Sequence, residues 1–349
     1  MTIRSICAEG AESIESTDPN NISAFEAGFR YPLSPTEHFS ISHGADYSLF
    51  YRSMGNSLVL AAEQDELPIA TVAATIRELH SPCGTIQKCA YIGDLKYRRG
   101  SGASRKLLSL LIELQNWCIQ NADSALAVVM GGTQNLPDSY SGRLGLRKMK
   151  RLGTMHIYRI PIQPLASCRQ FKEAELIASA RAHSIIDTSP RNFCSFKPIQ
   201  NGDSESECTS LISPIWFGSN APVSITAAGS SESPSADCAV GCLQDTRKAK
   251  KLFRENGNEI LNAHLTNFYF DSIDSAAPII ESALESAREN DFEALFLSVD
   301  IERSQQLSAV LEKFGAIKSE AIIYGAGVIA EEQFNDHSNR NWCINSSEV

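Results

Sequence analysis

Apolar and polar positions along this chain follow two different periods, and the switches between them outline its elements. Ser57 to Glu63 (SLVLAAE) and Pro68 to Leu79 (PIATVAATIREL) are β-rich runs, and the turn-like Gln64-Asp65-Glu66 between them predicts a hairpin. After Ser81-Pro82-Cys83-Gly84, a third strand is predicted over Ile86 to Tyr97, and the short connections make an antiparallel meander. The period then lengthens. From Ala103 to Asn121 the residues Leu107, Leu108, Leu111, Leu114, Trp117 and Cys118 recur at helical spacing, an amphipathic helix of about five turns. Short strands are predicted at Ala125 to Met130 and at Met155 to Ile162. Three strands, a helix and a strand give a mixed sheet.

The pattern fades beyond Pro164. Asn201 to Ser235 holds ten serines in 35 residues, with Pro and Gly, as in a linker. Periodicity returns at Asp237 to Leu243 and Leu265 to Asp271. A helix follows over Ala276 to Asn290, with Ser275 as its cap and Pro278 in its first turn. A strand at Ala294 to Val299, a helix at Arg303 to Phe314 ended by Gly315, and a strand at Ile317 to Tyr324 complete the second half. Its order echoes the first half at the level of pattern. The expected organisation is a first domain over 1–165, a connection over 166–235, a second domain over 236–330 and a frayed polar tail over 331–349.

Length supports that division, since 349 residues exceed what one core ordinarily serves. With 43% hydrophobic and 21% charged residues the composition is that of a folded globular protein. No apolar run is long enough to span a bilayer, and Met1 to Asn21 is acidic and Ser-rich without the order of a signal peptide, so the expectation is a cytoplasmic chain with no membrane partner. The ten cysteines lack zinc spacing, several stand inside apolar runs, and no metal is expected. His38 and His43, in a Ser-rich stretch without a nearby carboxylate or thiol at ligand spacing, read as loop residues.

Charge alters the picture locally. The net charge is −10, yet Lys88 to Arg159 carries twelve Lys and Arg against only Asp94, Glu113, Asp123 and Asp138. That stretch suits an anionic ligand, or is a solvated basic face; it lacks the interleaved aromatics of a nucleic-acid surface. The run Asp245 to Lys251 reads as a solvated helix face, or as a contact for an anionic partner.

The sharpest signal stands between the third strand and the helix: Arg99, Gly100, Ser101, Gly102, Ala103, Ser104, Arg105 and Lys106. Two glycines allow close backbone approach, and a helix start presents unpaired N–H donors with partial positive charge. A diphosphate fits there, with Lys96, Arg98, Arg99, Arg105 and Lys106 as candidate cations. A glycine-punctuated surface turn would show the same composition. A dinucleotide fingerprint would need Gly where Arg105 stands, and a P-loop would need Gly-Lys-Ser/Thr.

The segment resembles the cofactor motif of the GNAT superfamily, R-x-x-G-x-G/A, with Arg99, Gly102 and Ser104 in its fixed positions; Ser104 stands where Gly or Ala is usual. Strand order from Ser57 to Ile162 shares the resemblance, and the second half looks like a degenerate copy. The resemblance implies an α/β fold with a splayed mixed sheet, two GNAT-like domains in tandem. It also implies an N-acyltransferase that uses acetyl-CoA or another acyl-CoA. Main chain at Leu95, Lys96 and Tyr97 would pair with the pantetheine arm, and Tyr140, near Gly145, would be the proton donor to the thiolate. Asp94 beside the thioester is the candidate general base, or a charge partner for its basic neighbours, and Asn135 is a candidate donor or acceptor contact. The acceptor would be a small-molecule or peptide amine. An acyl carrier protein is a further candidate donor, for which the basic Arg143 to Arg151 would suit an acidic partner; a non-catalytic CoA-binding protein is the rival class. In the second half Asp271 and Asp274 stand at the helix start, where like charge repels a diphosphate, so that half is expected to be non-catalytic.

Overall fold

The computed structural model describes residues 2–8, 19–32, 37–98, 103–133, 136–140, 145–162, 174–188, 192–199, 211–218, 238–327 and 341–349. The first half contains strands β1 (Thr2–Ala8), β2 (Tyr31–Pro32), β3 (His38–Ser42), β4 (Ser57–Gln64), β5 (Leu67–His80), β6 (Ile86–Tyr97), β7 (Ser124–Met130) and β8 (Lys150–Pro161). Its helices are α1 (Pro19–Glu26), α2 (Leu49–Arg52) and α3 (Ala103–Asn121). The second half contains β9 (Glu175–Leu176), α4 (Ser179–Thr188), β10 (Phe193–Phe196), β11 (Ile215–Gly218), β12 (Ala239–Gln244), β13 (Lys251–Arg254) and β14 (Glu259–Ile260). It continues through β15 (Asn262–Phe270), α5 (Ile273–Glu289), β16 (Ala294–Asp300), α6 (Ile301–Lys313), β17 (Ile317–Gly327) and β18 (Asn341–Trp342).

The meander forms as its β-rich runs and short connections require. Asp65 and Glu66, both at positive φ, make the two-residue turn between β4 and β5, a backbone shape that matches strand twist. Helix α3 lies on β4 and β5 through the fully buried Leu110, Leu114 and Cys118, spaced four apart on one face. In the second half α5 covers β12 and β15 in the same way with Ile279, Ile280 and Ala283. Gly241 lets it sit close, because a Cβ there would meet Leu265 Cδ1 at 2.8 Å and Ile279 Cγ2 at 3.0 Å.

The two halves share one sheet, ordered β1-β4-β5-β6-β7-β17-β8-β16-β15-β12-β11-β9. Each half lends its last strand to the other: β17 pairs with β7 across Ser124–Met130, and β8 pairs with β16 from Met155 to Pro161. The two lent strands also pair with each other, so neither half ends in an open edge at the centre of the molecule. The fold is the tandem GNAT-like mixed α/β arrangement expected from the sequence.

Several local expectations need correction. Part of the segment read as a Ser-rich connection is built into the structure: α4 and β9 to β11 come from it, with β11 hydrogen-bonded along β12. Their apolar runs are only four residues long or less, too short for a periodic signal. Ser272 caps α5 and Ser275 is its reciprocal partner inside the first turn, while Pro278 falls one turn later. The run from Asp245 is no helix face; Asp245 and Thr246 are buried in a turn, with Arg247 folded back onto Asp245.

The polar tail is the largest correction. Residues 341–349 are interior: Trp342 and Ile344 are fully buried, β18 runs parallel to β10, and β10 in turn pairs with β5 of the first half. Composition misled here because Asn, Ser and Glu in this stretch spend their polar groups inside the protein. Replacing Trp342 with Ala is expected to cost about 3–5 kcal/mol of unfolding free energy in a urea titration. A loss under about 1 kcal/mol would return the segment to the frayed state its composition implies.

Candidate functional site

Strands β6 and β7 run parallel and hydrogen-bonded only from Cys89–Ile92 against Ser124–Ala127. Past that point they part. β7 continues along β17 to Met130, while β6 takes up one extra residue: Thr71 pairs with Lys96 and Ala73 with Gly93, leaving Asp94 and Leu95 opposite Val72. Asp94 takes φ +56, as a bulge residue does. Along Gly93 to Tyr97, β6 has no strand partner on its β7 side among the described residues, and α3 opens at Ala103 just beyond. Among the described residues, main chain without a strand partner and a helix start therefore flank one wedge. Arg99, Gly100, Ser101, Gly102 and Asn135 lie outside the described residues; Ala103 and Ser104 are the first residues of α3.

The bulge rests on a buried charge cluster. Tyr47 Oη donates to Asp94 Oδ2 at 2.5 Å, Lys96 Nζ bonds Asp94 Oδ1, and Lys96 Nζ lies 2.8 Å from Glu26 Oε1. His43 Nδ1 is 2.7 Å from Glu26 Oε1 and 3.5 Å from Asp94 Oδ2, and the His43 N–H donates to Glu26 Oε2 at 3.0 Å. Burial pushes the Asp94 carboxyl up, but the Lys96 ammonium, His43 and the hydrogen bonds from Lys96 and Tyr47 outweigh it and hold it far below the usual carboxylate range. Burial pushes the Lys96 ammonium down, but Asp94, Tyr31 and Glu26 outweigh it and raise its pKa above the usual lysine value. Burial, together with Asp94 and Glu26, pushes the Tyr47 phenol well up. Glu26, His43 and Asp94 offer ligand atoms within 4.8 Å of one another, a spacing a metal could use; here the Lys96 ammonium supplies the positive charge on both carboxylates.

Most of the expected cations turn away from the wedge. Lys96 points into the interior, Arg98 donates to the Ala24 carbonyl and covers the Phe25 ring, and Lys106 reaches the Glu63 carbonyl and Gln64 Oε1. Arg105 stays exposed on the first turn of α3. Leu95 is exposed beside the open edge, and Tyr97 packs half-buried with the α3 core. Tyr140 is half-buried on another element, closing the 3-10 turn Pro137–Ser139.

The second half repeats the split. β15 and β16 are parallel only over Asn262–Leu265 against Ala294–Leu297, and two residues later Asn267 takes φ +50 in a bulge opposite Gly241. Asp94 likewise stands two residues beyond Ile92. This second wedge is occupied by the chain itself. Asn267 N donates to Asn345 Oδ1 at 2.8 Å, Ser298 Oγ donates to the Ile344 carbonyl at 2.5 Å, and His264 Nδ1 lies 3.0 Å from Ser346 Oγ. At the helix start Asp271 accepts from Cys238 N and Tyr269 Oη, and Asp274 sits in the first turn of α5.

No protein-family model matches the chain, and no curated protein sequence does. Solved structures do. Saccharomyces cerevisiae N-myristoyltransferase with bound myristoyl-CoA aligns at TM-score 0.55 and 10% identity, over 93% of this chain and 82% of that one. A second structure of that complex aligns at TM-score 0.53 and 10% identity, over 93% and 78% of the two chains. One with myristoyl-CoA and inhibitors gives 0.54 at 10% identity, over 93% and 80%. The chain shares the N-myristoyltransferase fold.

Within that fold a cavity of about 380 Å³ lies between the halves. Phe50 and Met54 of the first half line it, together with Trp216, Asn267, Asn345 and Glu348. Glu348 is fixed by Arg77, 2.9 Å from its carboxylate, and its carbonyl accepts from Tyr91 Oη at 2.5 Å. Sequence reasoning missed Glu26, His43, Tyr47, Lys250 and Asn345, because their partners stand 17 to 99 residues away and leave no local spacing to read. His43 is the clearest case, a loop residue by composition and a buried cluster member in the fold.

Asp94→Asn is expected to cost about 3 kcal/mol at neutral pH, since it removes one of the two carboxylates that hold the buried Lys96 ammonium. The folded Asp94 carboxyl sits below its ordinary value of 3.8, so its contribution is complete above that value and drains away as pH falls through the folded one. Urea denaturation of both proteins near neutral pH and near pH 3 should show the gap narrowing in acid; a constant gap would deny the carboxylate that role.

Proposed function

We propose that this protein is an acyl-CoA-dependent N-acyltransferase that holds its donor in the β6–β7 wedge and receives a primary amine, on a peptide or a small molecule, in the cavity between the halves. The observation that carries this reading is the wedge itself. The β6 main chain beyond Ile92, which has no strand partner on this side among the described residues, stands beside the start of α3 and has the polarity to bind a pantetheine amide chain and a diphosphate in succession. A long acyl chain of the myristoyl kind is the favoured donor over acetyl, on the likeness to structures that hold myristoyl-CoA.

The chemistry follows from those parts. The amine nitrogen attacks the thioester carbon, the C–S bond breaks, and the CoA thiolate leaves with a proton. Main-chain N–H groups at the Asp94 bulge are the donors for the developing oxyanion. The second half offers an internal analogue, where Asn267 N holds the carbonyl oxygen of the Asn345 side chain. Asp94 serves the reaction by holding the bulge in shape, because Lys96 and Tyr47 already claim its oxygens and leave it little affinity for a proton. Tyr140 is the proposed proton donor to the thiolate.

Isothermal titration with CoA, acetyl-CoA and myristoyl-CoA tests the reading directly. Tightest binding of myristoyl-CoA is expected, and no heat with any of them at about millimolar ligand would end the proposal. The double substitution Arg99→Glu with Gly102→Asp should weaken CoA binding by about 100-fold or more, since it sets two carboxylates against the diphosphate. Tyr140→Phe should lower kcat by about 10- to 100-fold with KM little changed; unaltered turnover would remove the tyrosine from the mechanism.

A further inference from the structure

Lys250 lies fully inside the protein where the two halves meet. No Asp or Glu side chain among the described residues pairs with it. Its ammonium instead donates to main-chain oxygens of the 341–349 segment, at Val349 and, 3.5 Å away, at Ser347, and stands 4.8 Å from the Phe50 ring centre. Its own backbone is fixed: Lys250 N donates to the Thr246 carbonyl at 2.7 Å and Thr246 Oγ1 donates back to the Lys250 carbonyl at 3.3 Å. Asp94 and Lys96 from β6, Glu348 from the segment and His264 from β15 are the charged or titratable groups whose fields it shares. Burying an amine costs free energy that its bonds to these main-chain oxygens and the ring offset, and burial moves its pKa down to about 8. What that cost secures is visible in the partners. Phe50, Thr246, Ser347 and Glu348 all line the cavity between the halves, and Lys250 joins them from behind its wall.

We propose that Lys250, a second-half residue seated over Phe50 of the first half, is a positioning residue that latches residues 347–349 in place and so fixes the wall of the cavity that receives the acceptor amine. The segment enters through the second wedge, where Asn345 is tied to Asn267, and ends against Lys250, Arg77 and Tyr91. Arg77 and Tyr91 hold Glu348, whereas Lys250 holds main-chain oxygens of the residues on either side of it. A latch of this kind acts on the acceptor site and leaves the donor wedge alone. The latch stands on these contacts; the word acceptor rests on the proposed transferase reading.

Lys250→Met keeps length and packing over Phe50 while removing the N–H donors, and Lys250→Arg keeps donors. Hydrogen exchange of the whole chain reads the latch without any activity. In Lys250→Met, amides of 341–349 should exchange about 10-fold faster or more while those of β4 to β7 are unchanged, and Lys250→Arg should retain most protection. Acceptor KM should rise about 10-fold in Lys250→Met, with kcat and donor affinity within about 2-fold of wild type. Unchanged exchange over 341–349 in Lys250→Met, or equal loss in Lys250→Arg, overturns the latch. Faster exchange with donor affinity lost as well overturns its restriction to the acceptor side. If the exchange result holds but wild-type protein binds no acyl-CoA, the latch stands and the transferase reading falls. Should Lys250→Met not fold, the Arg variant decides, because a donor-based latch must survive in it.

Discussion

Two parallel strands that hydrogen-bond for four residues and then separate govern the rest of this structure. Parallel pairing demands continuous register, and one inserted residue at Asp94 or Asn267 ends it. Main chain beyond the split must find another partner, since buried N–H and C=O groups left unpaired are costly. The second half meets that demand with its own chain, placing Asn345 against Asn267 and running residues 341–349 through the wedge. The first half has the same split beside a helix start without acidic residues in its first turn, the arrangement suited to a bound anionic donor.

Strand exchange makes the duplication one object. With β17 between β7 and β8, and β8 against β16, neither wedge can widen without disturbing pairing that belongs to the other half. Charge placement follows the same logic. Beneath the first bulge Lys96 bridges two carboxylates out of water and His43 is held against both, which ties α1, the end of β3 and β6 together through Glu26, His43, Asp94 and Lys96. Beneath the second bulge the partners are neutral: Asn267, Asn345 and His264, whose ring is kept uncharged by burial and the nearby Lys250, with a pKa pushed down to about 3. An ionic cluster holds the half with an open wedge, and an amide pair holds the half that is filled.

The cavity between the halves gains its shape from elements that only this topology brings together. Phe50 comes from a short helix of the first half, Trp216 from a strand in the Ser-rich connection, and Glu348 from the last residues described. Arg77 and Lys250, from opposite halves, fasten the same short segment within it.

By itself the sequence determined the local elements and their order. The limits of β6 and α3 could be read to the residue, because a turn signal on each side of a twelve-residue β-rich run and a helical stripe over nineteen residues are local signals. The glycine-rich turn between them marked the place of the proposed donor site for the same local reason. Tertiary structure alone decided which last strand pairs with which half, that a polar segment at 341–349 is interior, and that Lys96 serves Asp94 and Glu26 in place of a phosphate. Apart from the Lys96–Asp94 contact, those outcomes depend on partners dozens or hundreds of residues apart, where pairing energy leaves no periodic trace along the chain.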